Sequence, residues 1–162
     1  MKSVTLIRHV KSDWSNLLTD FDRPIREDRK EDALQMAKEI AKKGLLPELI
    51  VSSPAVRTLQ TSKLFCGKWK YPFGKVIRSK GLYECLAKDI FDIIKKTDDE
   101  YGSIAIICHN PAITDFVNQY SDCSVDNVPT TGAVHIRFEV KHWKDINGGG
   151  KLSWFIYPKG LK

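Results

Sequence analysis

The sequence has no uninterrupted apolar stretch of the length that a membrane span or a secretory leader requires, because the apolar opening runs into Arg8 and His9. Its four cysteines, at positions 66, 85, 108 and 123, show neither the paired spacing of a zinc site nor a redox dithiol. They are expected to be free thiols of a reducing cytoplasm. Nor is there a run of five or more basic residues, or an aromatic motif of the RNA-binding kind. The net charge of +6 therefore argues for a field that attracts phosphorylated ligands more than for nucleic acid. Internal repeats and linkers are also lacking. What is present is 162 residues, 42% of them hydrophobic, enough for one buried core. A single domain over residues 1–162, monomeric, is the simplest expectation.

Residues Lys2 to Arg8 read as a first strand, followed by a polar loop from Lys11 to Asp28 that contains Trp14, Leu17, Phe21 and Pro24. Ala33, Leu34, Ala37, Ile40 and Ala41 recur at helical spacing, which predicts an amphipathic helix over 29–43 stopped by Gly44. Leu49 to Val51 form a short strand. Ser53 and Pro54 then suggest a capping residue with proline in the first helical turn, and a helix to about Phe65. A short strand at 76–78, a loop at 81–84 and a helix at 87–97 follow. Ser103 to Cys108 is a nearly continuous apolar run, as in a strand covered on both faces. Asn110 and Pro111 repeat the capping pattern for a helix to about Tyr120, and strands are expected at 133–140 and 152–157. Strands and helices alternating in this order predict an α/β three-layer sandwich, a largely parallel central sheet with helices on both faces.

Ligands of such sheets bind beyond the carboxyl ends of the strands. Arg8 and His9 close the first strand, Arg57 follows the second, Glu84 the third, and His109 the fourth. Two arginines can clamp phosphoryl oxygens with planar, permanently charged donors. A neutral imidazole is a competent nucleophile near neutral pH, and His9 beside Arg8 is the better placed of the two. Taken singly, each of these residues is most simply a satisfied or solvated polar group. Their convergence on one edge is what singles them out.

The segments LIRHVKSDW, DFDRPI, LIVSSPAVRTLQT and CHNPAITDF, in this order and spacing, resemble the histidine phosphatase superfamily, which includes the phosphoglycerate mutases. The short length is similar to the SixA-type phosphohistidine phosphatases. The resemblance implies that His9 is phosphorylated in turnover, that Arg8, Arg57 and His109 complete the phosphate pocket, and that Glu84 is the proton donor. It also implies that neither metal nor cofactor is needed. The substrate would be a phosphohistidine on a protein or a small phosphorylated molecule, handled in the cytoplasm without membrane attachment. The same site could serve a mutase or small-metabolite phosphatase, and a noncatalytic phosphate- or nucleic-acid-binding module is the alternative of another class. Three departures stand out: Val10 and Cys108 occupy positions where glycine is common, and Asp28–Arg29 replaces the usual Arg–Gly.

Overall fold

The computed structural model describes residues 1–44 and 46–161. Six strands, β1 (Lys2–Arg8), β2 (Leu49–Ser52), β3 (Ile77–Arg78), β4 (Ser103–Cys108), β5 (Ala133–Phe138) and β6 (Lys151–Ile156), form one sheet in the order β3-β2-β4-β1-β5-β6. The four strands from β3 to β1 are parallel, and β5 and β6 extend the sheet antiparallel beyond β1. Helices α1 (Lys30–Lys42) and α2 (Val56–Trp69) cover one face; α3 (Ala87–Lys95) and α4 (Ala112–Tyr120) cover the other.

Strand alternation builds both halves of the core. Val4 and Leu6, Leu49 and Val51, and Ile104, Ile106 and Cys108 pack toward α3 and α4. Ile7, Ile50, Ala105 and Ile107 pack toward α1 and α2, with Met36, Ile40 and Phe65. A parallel strand buried on both faces must be apolar throughout, which is why the 103–108 run carries no alternating polar residues. Gly44 ends the first helical segment at φ 83°, a left-handed conformation that glycine adopts without a Cβ penalty.

Three local expectations change. The Ser53–Pro54 pair does not place proline in a first helical turn: α2 starts later, at Val56, and runs a turn further, to Trp69. The Val56 amide is taken by the Phe21 carbonyl of the preceding loop (3.0 Å), so a tertiary contact sets this helix start. Likewise α4 begins at Ala112, although Asn110 Oδ1 still accepts from the Thr114 amide at 3.2 Å. The predicted strand at 76–78 shrinks to two exposed residues at the sheet edge.

Candidate active site

Register places the site. Arg8 pairs with Cys108 across β1 and β4, and Ser52 with Ile107 across β2 and β4. The residues that follow, His9, His109 and Ser53, therefore emerge side by side where the parallel strands end. The two imidazole rings lie 5.3 Å apart between centroids. Arg57, in the first turn of α2, sends Nη2 to His109 Nδ1 at 3.4 Å. Geometry thus brings together Arg8, His9, Arg57 and His109, and all but the half-exposed Arg8 are buried.

The hydrogen bonds settle the tautomers. His9 Nδ1 lies 2.7 Å from the Val10 carbonyl, which can only accept, so this nitrogen carries the proton and Nε2 keeps its lone pair. His109 Nδ1 accepts from Arg57, and its Nε2–H donates to Ser53 Oγ at 2.8 Å. Burial, together with the nearby arginines, lowers the His9 pKa to about 4. For His109 burial again acts first, followed by His9 and Arg57, and its pKa falls to about 3. Both imidazoles are neutral at pH 7. Arg8 donates to the Val128 carbonyl at 3.0 Å, while its buried Nε has no partner among the described residues, an unmet donor at the site.

Backbone contacts hold this end of β1. Thr131, at φ 64°, sends its amide to the carbonyls of both Arg8 (3.1 Å) and His9 (3.0 Å). Gly132 follows because a Cβ there would sit 2.7 Å from the Pro129 carbonyl oxygen. The Thr61 hydroxyl of α2 accepts from the Val10 amide (3.0 Å) and donates to the Arg57 carbonyl (2.8 Å). Val10 and Cys108 are both fully buried and neither has a positive φ, so the backbone does not require glycine at either position. Asp28 pairs with Arg26 inside its own loop.

Glu84 is not brought into this group. It lies exposed in a turn at φ 53°, with no hydrogen bond or ion pair among the described residues. Its neighbour Tyr83 points inward instead, its ring 5.6 Å from His109. The carboxylate at the site comes from the 11–28 loop: Asp20 Oδ2 meets Arg57 Nη2 at 3.1 Å and accepts from the Tyr83 hydroxyl at 2.6 Å. The Asp20 carbonyl accepts from Arg57 Nη1 at 2.6 Å, and Oδ1 pairs with Arg23. These donors, Tyr83 foremost, hold the Asp20 pKa below its usual value, and Asp20 in turn raises that of Tyr83 to about 12. Asp20 lay within the DFDRPI segment, but nothing in the residue pattern assigned it a role. Ser12 accepts from Arg23 at 3.3 Å.

Among the described residues no cluster of His, Cys, Asp and Glu has the form of a metal site, and no helix is long and apolar enough to cross a membrane. The cysteines are free, Cys66 and Cys108 within the core. A surface depression of about 650 Å³ between α1 and α2, lined in part by Ile25, Leu34 and Leu64, includes none of the four site residues.

Known proteins were compared with the chain. No family model matches it. An uncharacterised chloroplastic protein of Arabidopsis thaliana is 41% identical over 171 residues, spanning 97% of this chain and 78% of that one. Among solved structures, the protein histidine phosphatase SixA complexed with tungstate superposes with a TM-score of 0.85 at 18% identity, covering 99% of each chain. A putative phosphohistidine phosphatase SixA from Agrobacterium tumefaciens gives 0.82 at 22% identity, covering 97% of this chain and 98% of that one. A phosphoserine phosphatase variant from Entamoeba histolytica bound to phosphoserine gives 0.70 at 16% identity, with both chains covered in full.

Proposed function

From a chain that belongs to one family with the chloroplastic Arabidopsis protein and has the fold of the SixA histidine phosphatases, we infer a metal-independent phosphatase that works through a phosphohistidine intermediate. One observation carries the reading: a neutral His9 with Nδ1 tied to its own backbone and the Nε2 lone pair free, set among Arg8, Arg57 and His109. In the first step Nε2 attacks phosphorus in line while the guanidinium groups hold the equatorial oxygens. The arriving phosphoryl dianion offsets the burial that keeps His109 neutral, so this ring can take up a proton and donate to a phosphoryl oxygen. In the second step water hydrolyses phospho-His9.

The substrate that fits best is a phosphohistidine carried by a protein. The connection from α2 to α3 holds only 3-10 turns and the two residues of β3, with no inserted helix to enclose a small metabolite. A protein-borne phosphate needs no such cover. A phosphoramidate also suits a site whose carboxylate is held ionised, since imidazole departs more readily than an alkoxide.

The deciding experiment is phosphate release, with chelator present, by wild type and His9→Ala from a phosphohistidine-bearing protein and from an aryl phosphate. Release by wild type alone, faster from phosphohistidine, is expected. Equal release by the variant would remove His9 as nucleophile. Silence toward both substrates would turn attention to phosphorylated metabolites or to noncatalytic phosphate binding.

A further inference from the structure

We propose that Asp20 is the proton acceptor for hydrolysis of phospho-His9 and donates no proton in the step that forms it; this inference rests on the phosphohistidine reading above. Of the charged groups near the two histidines, Asp20 is the carboxylate that acts electrostatically on both. Unlike them it is half-exposed, with 50% of its side chain open to solvent, so water reaches it. A short side chain holds it, on a loop fixed at several points. The Asp13 amide donates to the Pro24 carbonyl at 2.8 Å, Ser12 bridges Ile25, and Phe21 accepts from the first amide of α2. Phe21 also packs edge-on against Tyr83, ring centroids 5.1 Å apart.

The partners of Asp20 decide the direction of proton transfer. Oδ1 faces Arg23 and Oδ2 faces Arg57 and the Tyr83 hydroxyl, so both oxygens accept from strong donors and the ionised form is favoured. Such a group is available as a base and has no proton to give. Arg57 keeps donors to spare, because a guanidinium has about five N–H groups and the Asp20 and His109 contacts use three.

The chemistry balances as follows. In the first step the bond from His9 Nε2 to phosphorus forms, and the leaving group departs with the electron pair of its own bond. A protonated phosphohistidine ring leaves as neutral imidazole and an aryl oxide leaves as the stabilised anion, so neither needs an acid. In the second step the oxygen of water bonds to phosphorus and the P–Nε2 pair returns to His9. The water proton passes to the Asp20 carboxylate and from there to solvent. One carboxylate, fixed in its ionised form, thus makes the site selective for phosphoramidates and aryl phosphates over alkyl phosphates.

Rapid-quench kinetics of the full chain with p-nitrophenyl phosphate test this, following nitrophenol, inorganic phosphate and base-stable phosphoenzyme in wild type, Asp20→Asn and Asp20→Glu. For Asp20→Asn the expected result is a stoichiometric nitrophenol burst within about threefold of the wild-type rate, then steady turnover about 100-fold slower, the size of a lost general base. Phosphoenzyme accumulates, inorganic phosphate binds at least as tightly as to wild type, and Asp20→Glu restores part of the steady rate. A burst slowed as much as turnover would give Asp20 a part in the first step and overturn the proposal. A joint fall in both steps and in phosphate affinity would reduce it to a positioning residue for Arg57, and unchanged kinetics would deny it any role. Should Asp20→Asn fail to fold, Tyr83→Phe serves instead: loss of one donor to Oδ2 should move the acid limb of phosphoenzyme hydrolysis upward and leave the burst unchanged, and an unmoved limb counts against the base. The parent reading fails differently, by wild type that turns over without any phosphoenzyme on His9.

Discussion

Two buried histidine environments in this molecule can be set side by side. His135, on β5, is 1% exposed, stacks on Trp154 at 5.2 Å and 12°, and shares a 2.9 Å hydrogen bond with Thr5. Burial lowers its pKa to about 4, with Arg137 adding to the effect, the same value that His9 reaches. Titration alone therefore does not tell them apart. Around His9 there are two arginines, a second imidazole and a lone pair free to meet a ligand. His135 lies inside the sheet layer, and its Nε2 has no partner among the described residues. A depressed histidine pKa reports lack of water; it becomes chemistry only where cations converge on a nitrogen that a substrate can reach.

Substitutions should break the equivalence in opposite directions. His9→Ala is expected to lose at least about a thousandfold in turnover while the melting temperature stays near wild type. His135→Ala should keep turnover per folded molecule within about twofold and lose about 2–4 kcal/mol of stability, through the cavity under Trp154, as chemical denaturation would show. A His135→Ala variant that is stable but inactive would dissolve the distinction. Next in size, Arg57→Ala should cost about a hundredfold in kcat/KM, as for the loss of one donor to a transferring phosphoryl group.

The smaller effects concern pH. His9, His109 and His135 titrate lower in the folded chain than the ordinary value of 6.5, so the unfolded state takes up protons first as pH falls. The stability they contribute is complete above pH 6.5 and is lost between about 6.5 and 4 for His9 and His135 and down to about 3 for His109, and unfolding midpoints across that window should decline accordingly. His135→Ala should make that decline shallower by up to one proton. The acid limb of kcat/KM should lie near pH 4, where His9 protonates; a limb near 6.5 would mean that His9 is solvated.

What the sequence made legible follows the same physical division. Arg8, His9 and His109 could be placed because apolar runs mark parallel strands and register carries whatever follows their ends to one edge. Arg57 could be placed because α2 starts just beyond β2. The loop partners could not. Asp20 reaches Arg57 through contacts of residues 13–25 with α2 and Tyr83, and no periodicity encodes such a path. Glu84 falls outside the group for a related reason: β3 has only two exposed residues, so the turn after it lies on the rim, turning Tyr83 inward and Glu84 out. Helix starts failed where tertiary hydrogen bonds, such as Phe21 to Val56, replaced local capping.

The Thr61 hydroxyl bridges the Val10 amide and the Arg57 carbonyl. One atom thereby sets the spacing between the strand that leads into His9 and the helix that carries Arg57, as a fixed gauge would. Thr61→Val, nearly equal in shape, would loosen the gauge while leaving every ligand-facing group in place. Its cost should therefore appear in kcat, where geometry at the moment of transfer counts, and hardly in the affinity for phosphate.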